Sequence, residues 1–317
     1  MDKPMHDILV ITGPTATGKT RLAALVASRL GGEVISADSR QVYRGMDIGT
    51  GKDLSDYVVD GRRVPVHMVD IVDAGYRYNV YEYQRDFLRV FEDLSARGAF
   101  PVVCGGSGMY VDSIVSGYRL IQVPLNEPLR GLLAGRSLEE LTEILSQYKS
   151  LHNRTDVDTV KRAVRAIEIA DFYTNHPLDE SPFPVKNPLV TAVFFDRETR
   201  RQRISSRLKA RLEGGMIEEV QRLLASGVHP DDLLYYGLEY KYVTLYLLNK
   251  MGYEEMAQKL EVEIHRFAKR QMTWFRGMER RGITINWIDG HLPDDEKVEA
   301  ILRLKEKFSI SDFRLSI

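Results

Sequence analysis

An α/β fold, a parallel sheet covered by helices on both faces with a small helical insertion, is what this chain predicts, and three observations predict it. Short apolar runs alternate with amphipathic helical patterns through the first hundred residues. The first run leads into a glycine-rich turn that opens a helix. A helical, proline-closed stretch then interrupts the alternation before strand-like sequence returns. The chain has 317 residues, 44% apolar and 28% charged, with net charge −1. That length fills one large or two modest domains. The charge balance gives no global pull towards nucleic acid, so any basic surface is local. A single cysteine, Cys104, excludes an internal disulfide and fits a reducing compartment. No apolar stretch approaches the ~20 residues that span a bilayer, and Met1-Asp2-Lys3-Pro4 enters the first strand without a secretory core. A cytoplasmic monomer with no membrane association is expected.

Taken in order, strand 8–12 runs into Gly13-Pro14-Thr15-Ala16-Thr17-Gly18-Lys19-Thr20, a phosphate-binding loop, and helix 19–30 follows. Gly13 and Gly18 let backbone amides curl around a phosphate, Lys19 supplies a point charge, and Thr20 can hold Mg²⁺ at the helix start. The sheet is therefore expected to be of the P-loop NTPase type. Strand 33–36 precedes Asp38-Ser39, Val64–Ile71 reads as a strand carrying Asp70, and 80–96 as a helix. Strand 101–104 ends in Gly105-Gly106-Ser107. In such sheets ligands sit beyond the carboxyl ends of the strands, so all three turns point to one pocket. From about 118 the character is helical, at 137–149 and 156–173, closed by Pro177, Pro182, Pro184 and Pro188. Strand 190–195, a long charged helix 197–225, further helices to 280, a strand at 283–288 and a helix at 294–308 complete the chain. The domains expected are a core of 1–117 and 186–290, an insertion of 118–185, and a helical tail of 291–317.

Asp38 at a strand end can be a general base, a metal ligand or a helix cap. Asp70 is the rival metal carboxylate, as in nucleotide hydrolases. Ser107 presents a hydroxyl at the pocket rim or merely closes a turn, and Cys104, within an apolar run, reads as a small buried hydrophobe. Basic residues gather at Lys161, Arg162 and Arg165, at Arg200, Arg203, Arg207 and Arg211, and around Trp274-Phe275 from Lys269 to Arg281. Each cluster alone reads as a solvated helix face; together they suggest a polyanion surface. The histidines lack zinc-ligand spacing.

These segments resemble the tRNA dimethylallyltransferases, enzymes that prenylate N6 of an adenosine beside the anticodon. The resemblance rests on Gly13–Thr20, Asp38-Ser39-Arg40-Gln41-Val42-Tyr43, Met46–Lys52, Gly105–Tyr110, Arg165–Glu168, Gly215–Val220 and Ala268–Arg276, in the family's order. It implies that residues 13–20 bind the diphosphate of dimethylallyl diphosphate, with Mg²⁺ at Thr20 and Lys19 facing the leaving group. It implies Asp38 as the base for the amine, and Ser107, where the family usually has Thr, as donor to the bridging oxygen. Asp38, Ser39, Arg40, Gln41 and Ser107 would line the channel for a base flipped from the anticodon stem-loop. Lys161, Arg162, Ala163, Val164 and Arg165 would match a tRNA-contacting helix, and Arg130 a pyrophosphate- or tRNA-proximal arginine. The insertion is shorter than usual, Ile264-His265 replaces Thr-Arg, and Gly237-Leu238-Glu239 carries an acid where a base is expected. Lys241 is expected to supply that missing cation from a helix end. Prenylation of free AMP, ADP or ATP, a P-loop kinase or ATPase, and an inactive tRNA-binding relative are the competing readings.

Overall fold

The computed structural model describes residues 7–117, 119–151, 155–176 and 183–311. The expectations for Met1-Asp2-Lys3-Pro4, Pro177 and Pro182, and for 312–317, lie outside the described residues. Strand β1 (Ile8–Thr12) is buried along its whole length, and α1 (Lys19–Leu30) starts from Gly18 in the left-handed region, φ 78°. Then come β2 (Gly32–Ser36), the short hairpin β3 (Val58–Val59) and β4 (Arg62–Arg63), and β5 (Val66–His67). Helix α2 (Val80–Arg97) opens on a capping box between Asn79 and Glu82, and β6 (Phe100–Cys104) and α3 (Gly108–Val115) follow.

Three helices, α4 (Glu127–Leu133), α5 (Leu138–Tyr148) and α6 (Val160–Asn175), belong to a compact unit of residues 119–183. Its core is Leu133, Leu141, Leu145, Ala163 and Ile167. The buried Glu168 carboxylate accepts from Arg130 Nε at 2.6 Å, Arg130 Nη2 at 2.9 Å and the Asn126 amide at 3.0 Å. These bonds offset its burial and hold the acid down to a pKa of about 2.

The other unit resumes with β7 (Pro188–Phe194), α7 (Arg197–Glu213), α8 (Met216–Ala225), α9 (Pro230–Tyr235) and α10 (Leu238–Leu247). It closes with α11 (Tyr253–Arg280), β8 (Asn286–Asp289) and α12 (Asp294–Ser311). The sheet is parallel throughout, in the order β5-β2-β6-β1-β7-β8. β1 lies between β6 and β7, which is why its run is apolar on both faces. On one face Leu22, Val26 and Ala27 of α1 share a core with Val298 and Ile301 of α12. The stacked rings of Tyr83 and Tyr110, centroids 4.0 Å apart, join α2 to α3.

Two elements differ from expectation. The strand expected over 64–71 keeps only Val66–His67, because Met68 and Asp70 adopt left-handed backbone, φ 64° and 55°. The helix expected over 197–225 breaks at Gly214-Gly215, where Gly215 has φ 98° and starts α8 afresh. The C-terminal helix α12 packs within the same unit as the sheet.

Candidate active site

The site is built at the carboxyl ends of β1, β2 and β6. Gly13 leaves β1 with φ 135°, and a Cβ there would stand 2.5 Å from the Val193 carbonyl oxygen of β7, so only glycine fits. The loop then turns through Ala16 (φ 65°) and Gly18 into α1, whose first-turn amides have no intrahelical acceptor. Lys19 Nζ folds back onto the Pro14 carbonyl at 2.7 Å. Burial pulls its pKa down to about 8, opposed by Cys104 and Asp38 and reinforced by Arg207. Thr20 lines the cleft beside Lys19, and Thr17 is spent on the loop itself, its hydroxyl donating to Pro14 O at 3.0 Å.

The turn after β2 places Asp38 in the same cleft, its Oδ1 accepting from the Arg40 amide at 2.9 Å. The turn after β6 brings Ser107, whose Oγ accepts from the Ser39 amide at 2.9 Å and donates to Ser39 Oγ at 3.1 Å. Gln41 is buried behind them, its Oε1 accepting from Ser36 Oγ at 3.2 Å. Arg40 leans over the Tyr235 ring, 5.5 Å from its centroid, and donates to Tyr235 O. Cys104 lines the cleft floor, and burial raises the thiol to a pKa of about 12, so it stays protonated.

The far wall was not visible in the sequence. Helix α7 aims Arg203 Nε at the Ala16 carbonyl (2.8 Å), Arg207 at the Thr15 hydroxyl, and Arg211 Nη1 at the Gly49 carbonyl (3.3 Å). Arg203 and Arg207 therefore serve the phosphate loop, and Arg211 the wall at Gly49, rather than an outer surface. Burial, then Arg211, pulls Arg207 well below the usual arginine range. From α11, Gln271 accepts from the Thr15 amide at 2.9 Å and donates to Gly106 O at 2.8 Å, tying the two turns together. Glu219 at the start of α8 accepts from the amides of Asp47 (2.9 Å), Ile48 (2.7 Å) and Gly49 (3.0 Å) and from the Tyr240 hydroxyl (2.7 Å). That one carboxylate shapes the cleft wall at 49–51.

Asp70 and Lys241 depart from expectation. Asp70 is no strand-end metal carboxylate: with Asp47 it neutralises the buried Lys52 ammonium. Lys241 lies inside α10, two residues and about 200° from Glu239. It lines a different groove, with Tyr242 and Arg266, while Glu239 in the cleft pairs with Arg211 at 3.4 Å. Ala163 is fully buried in the core of unit 119–183 and so offers no contact surface, while Val164 packs against that core and stays partly exposed. Arg130 is engaged by Glu168, Arg165 donates to Val123 O at 2.7 Å, and Arg162 pairs with Asp158 at 2.5 Å, while Lys161 is exposed.

The sequence profile of the IPP transferase family matches residues 41–278. This chain belongs to that family. It is 59% identical over 308 residues to tRNA dimethylallyltransferase 2 of Bacteroides fragilis, covering 97% of this chain and all of that one. It is 54% identical to tRNA dimethylallyltransferase 1 of Parabacteroides distasonis, covering 94% and 97%. Among solved structures, the tRNA isopentenylpyrophosphate transferase of Bacillus halodurans superposes with TM-score 0.67 at 30% identity, over 95% of this chain and 98% of that one. A eukaryotic dimethylallyltransferase acting on tRNA shares the fold, TM-score 0.70 at 20% identity, over 89% and 73%. The family profile begins at Gln41, so it leaves out the phosphate loop and Asp38 while taking in Ser107, Gln271 and the α7 arginines.

Proposed function

We infer that this protein transfers a dimethylallyl group from dimethylallyl diphosphate to tRNA, on N6 of adenosine 37 beside the anticodon, releasing pyrophosphate. The observation that carries the reading is the meeting of a phosphate loop, a carboxylate and a hydroxyl pair at the ends of three adjacent parallel strands. Membership of the IPP transferase family supplies the reaction class. In the transfer, the N6 lone pair forms the bond to the allylic carbon as the carbon–oxygen bond to diphosphate breaks. The amine's proton passes to Asp38, whose carboxylate is steadied by the Arg40 amide. Charge developing on the leaving diphosphate meets Lys19, the α1 amides and Arg207. The Ser107 proton turns from Ser39 towards the bridging oxygen.

No cluster of three acidic, histidine or cysteine side chains able to hold a metal occurs among the described residues. A single hydroxyl at the helix start suits Mg²⁺, which takes one or two protein oxygens and completes its shell with phosphate oxygens and water. Thr20 would hold that ion, which supplies neutralisation of diphosphate charge. The buried thiol suits a reducing cytoplasm. With Asp70 committed to Lys52, the kinase reading loses its metal carboxylate.

Asp38→Asn tests the assignment. Transfer of radiolabelled dimethylallyl to tRNA should fall about 10²–10⁴-fold in kcat, with donor affinity changed less than about twofold. Near-normal kcat in that variant removes Asp38 from the role of base.

A further inference from the structure

Beyond the cleft, Phe194 at the carboxyl end of β7 and Trp287 of the neighbouring β8 line a second, open groove together with Arg197, Arg200, Arg276 and Glu279. The Phe194 and Trp287 rings meet edge to face, centroids 6.2 Å apart and 87° between planes. Trp287 Nε1 donates to Glu279 Oε1 at 2.8 Å, so the one carboxylate lining the groove is already occupied. Asp196 nearby is turned to its own helix cap and to His291, and Glu198 accepts from Gln202. Among the described residues, Arg197, Arg200 and Arg276 form no ion pair. Burial and then the neighbouring Arg276 and Arg197 disfavour the charge of Arg200. Three guanidiniums thus face a single lining carboxylate, Glu279, in a chain of net charge −1, an excess of positive charge that favours a polyanion.

The groove shares its walls with the reaction cleft. Arg200 precedes Arg203 by three residues on α7, about 4.5 Å along the axis, and Arg276 follows Gln271 by five on α11, about 7.5 Å. Its Arg197 and Arg276 rim is exposed, which suits a backbone passing over it better than an enclosed small molecule. We propose that this groove grips the tRNA strand outside the reacting nucleotide, with backbone phosphates on Arg197 and Arg276 and one base against Trp287. The proposal rests on the reading that the chain acts on tRNA.

The test is binding and turnover of full-length tRNA by an Arg197→Glu/Arg276→Glu variant and by Trp287→Ala, with Trp287→Phe as the ring-retaining control. Losing two phosphate contacts should raise the tRNA Kd at least about tenfold and reduce its log–log salt slope by about two. The tRNA KM should rise with it, while kcat at saturation and donor KM stay within about twofold. Trp287→Ala should weaken binding about five- to tenfold with the salt slope unaltered, and Trp287→Phe should retain most of the affinity. An unchanged Kd and salt slope in the folded arginine variant overturn the proposal, as does an equal loss of donor affinity. A silent Trp287→Ala overturns the stacked base. Failure of the wild type to prenylate any tRNA would instead sink the functional reading, and the binding arms would still decide the groove.

Discussion

Lys19 stands where its own charge is opposed: burial and Arg207 pull it down to a pKa of about 8, and its ammonium leans on a loop carbonyl until an anion arrives. On the proposed reading, diphosphate bound at this loop reverses that preference, so the free enzyme should take up a proton on binding donor above pH 8. A non-reacting dimethylallyl diphosphate analogue titrated calorimetrically should therefore bind progressively more weakly from pH 8 to 9.5, approaching tenfold per pH unit. Lys19→Met should bind poorly and show no such trend. The same shift acts on folding with the opposite benefit. Between about pH 8 and the ordinary lysine value of 10.5, the unfolded chain holds the proton and the folded chain does not, so stability rises with pH across that window. At neutral pH the cost is about 3 kcal/mol, and Lys19→Met should melt higher than the wild type without ligand. Lys19, Asp38 and Ser107 were legible in the sequence because each follows an apolar run, and parallel strands deliver their ends to one place. Arg203, Arg207 and Gln271 were not, since arginines four apart on a helix look the same whether they face water or a loop 190 positions earlier.

Helix α8 shows how an element places a wall. Its opening turn puts Glu219 beneath three converging amides, which alone would be an anion-binding nest. Glu219→Gln sets an amide NH₂ against backbone donors. It should cost about 2–4 kcal/mol by urea denaturation and lower kcat/KM at least about tenfold, because residues 49–51 line the cleft. Wild-type stability in this variant would show that the loop holds its shape without the carboxylate. The sequence concealed this element boundary. Charge periodicity runs on through Gly214-Gly215, and only the left-handed φ of Gly215 reveals that one helix is two. Asp70 was misplaced for a related reason: an apolar run with β-branched residues reads as a strand, whereas the pull of Lys52 and the turn at Met68 are long-range facts.

At the scale of the whole molecule, the alternation of strands and helices carried the fold class, but the brace on the phosphate-loop helix had no local signature. Val298 and Ile301 of α12 are buried against α1, and an amphipathic stretch near the end of a sequence announces nothing about what it covers. Ile301→Ala should lower stability by about 2–5 kcal/mol, a large share of the ~5–15 kcal/mol typical of a domain, with kcat intact well below the melting temperature. A thermal melt unmoved by that change would mean that α12 adds little. The strand order extends the point: Leu9 sits opposite Val102 on one side and Leu189 on the other. During synthesis the ribosome thus delivers the phosphate loop early, the strands that flank β1 much later, and the helix that packs on α1 later still. A nascent chain that stops short of α12 should leave the prenyl donor to its other users, and the capacity to draw on that pool should arrive only once residues 294–311 have emerged and packed.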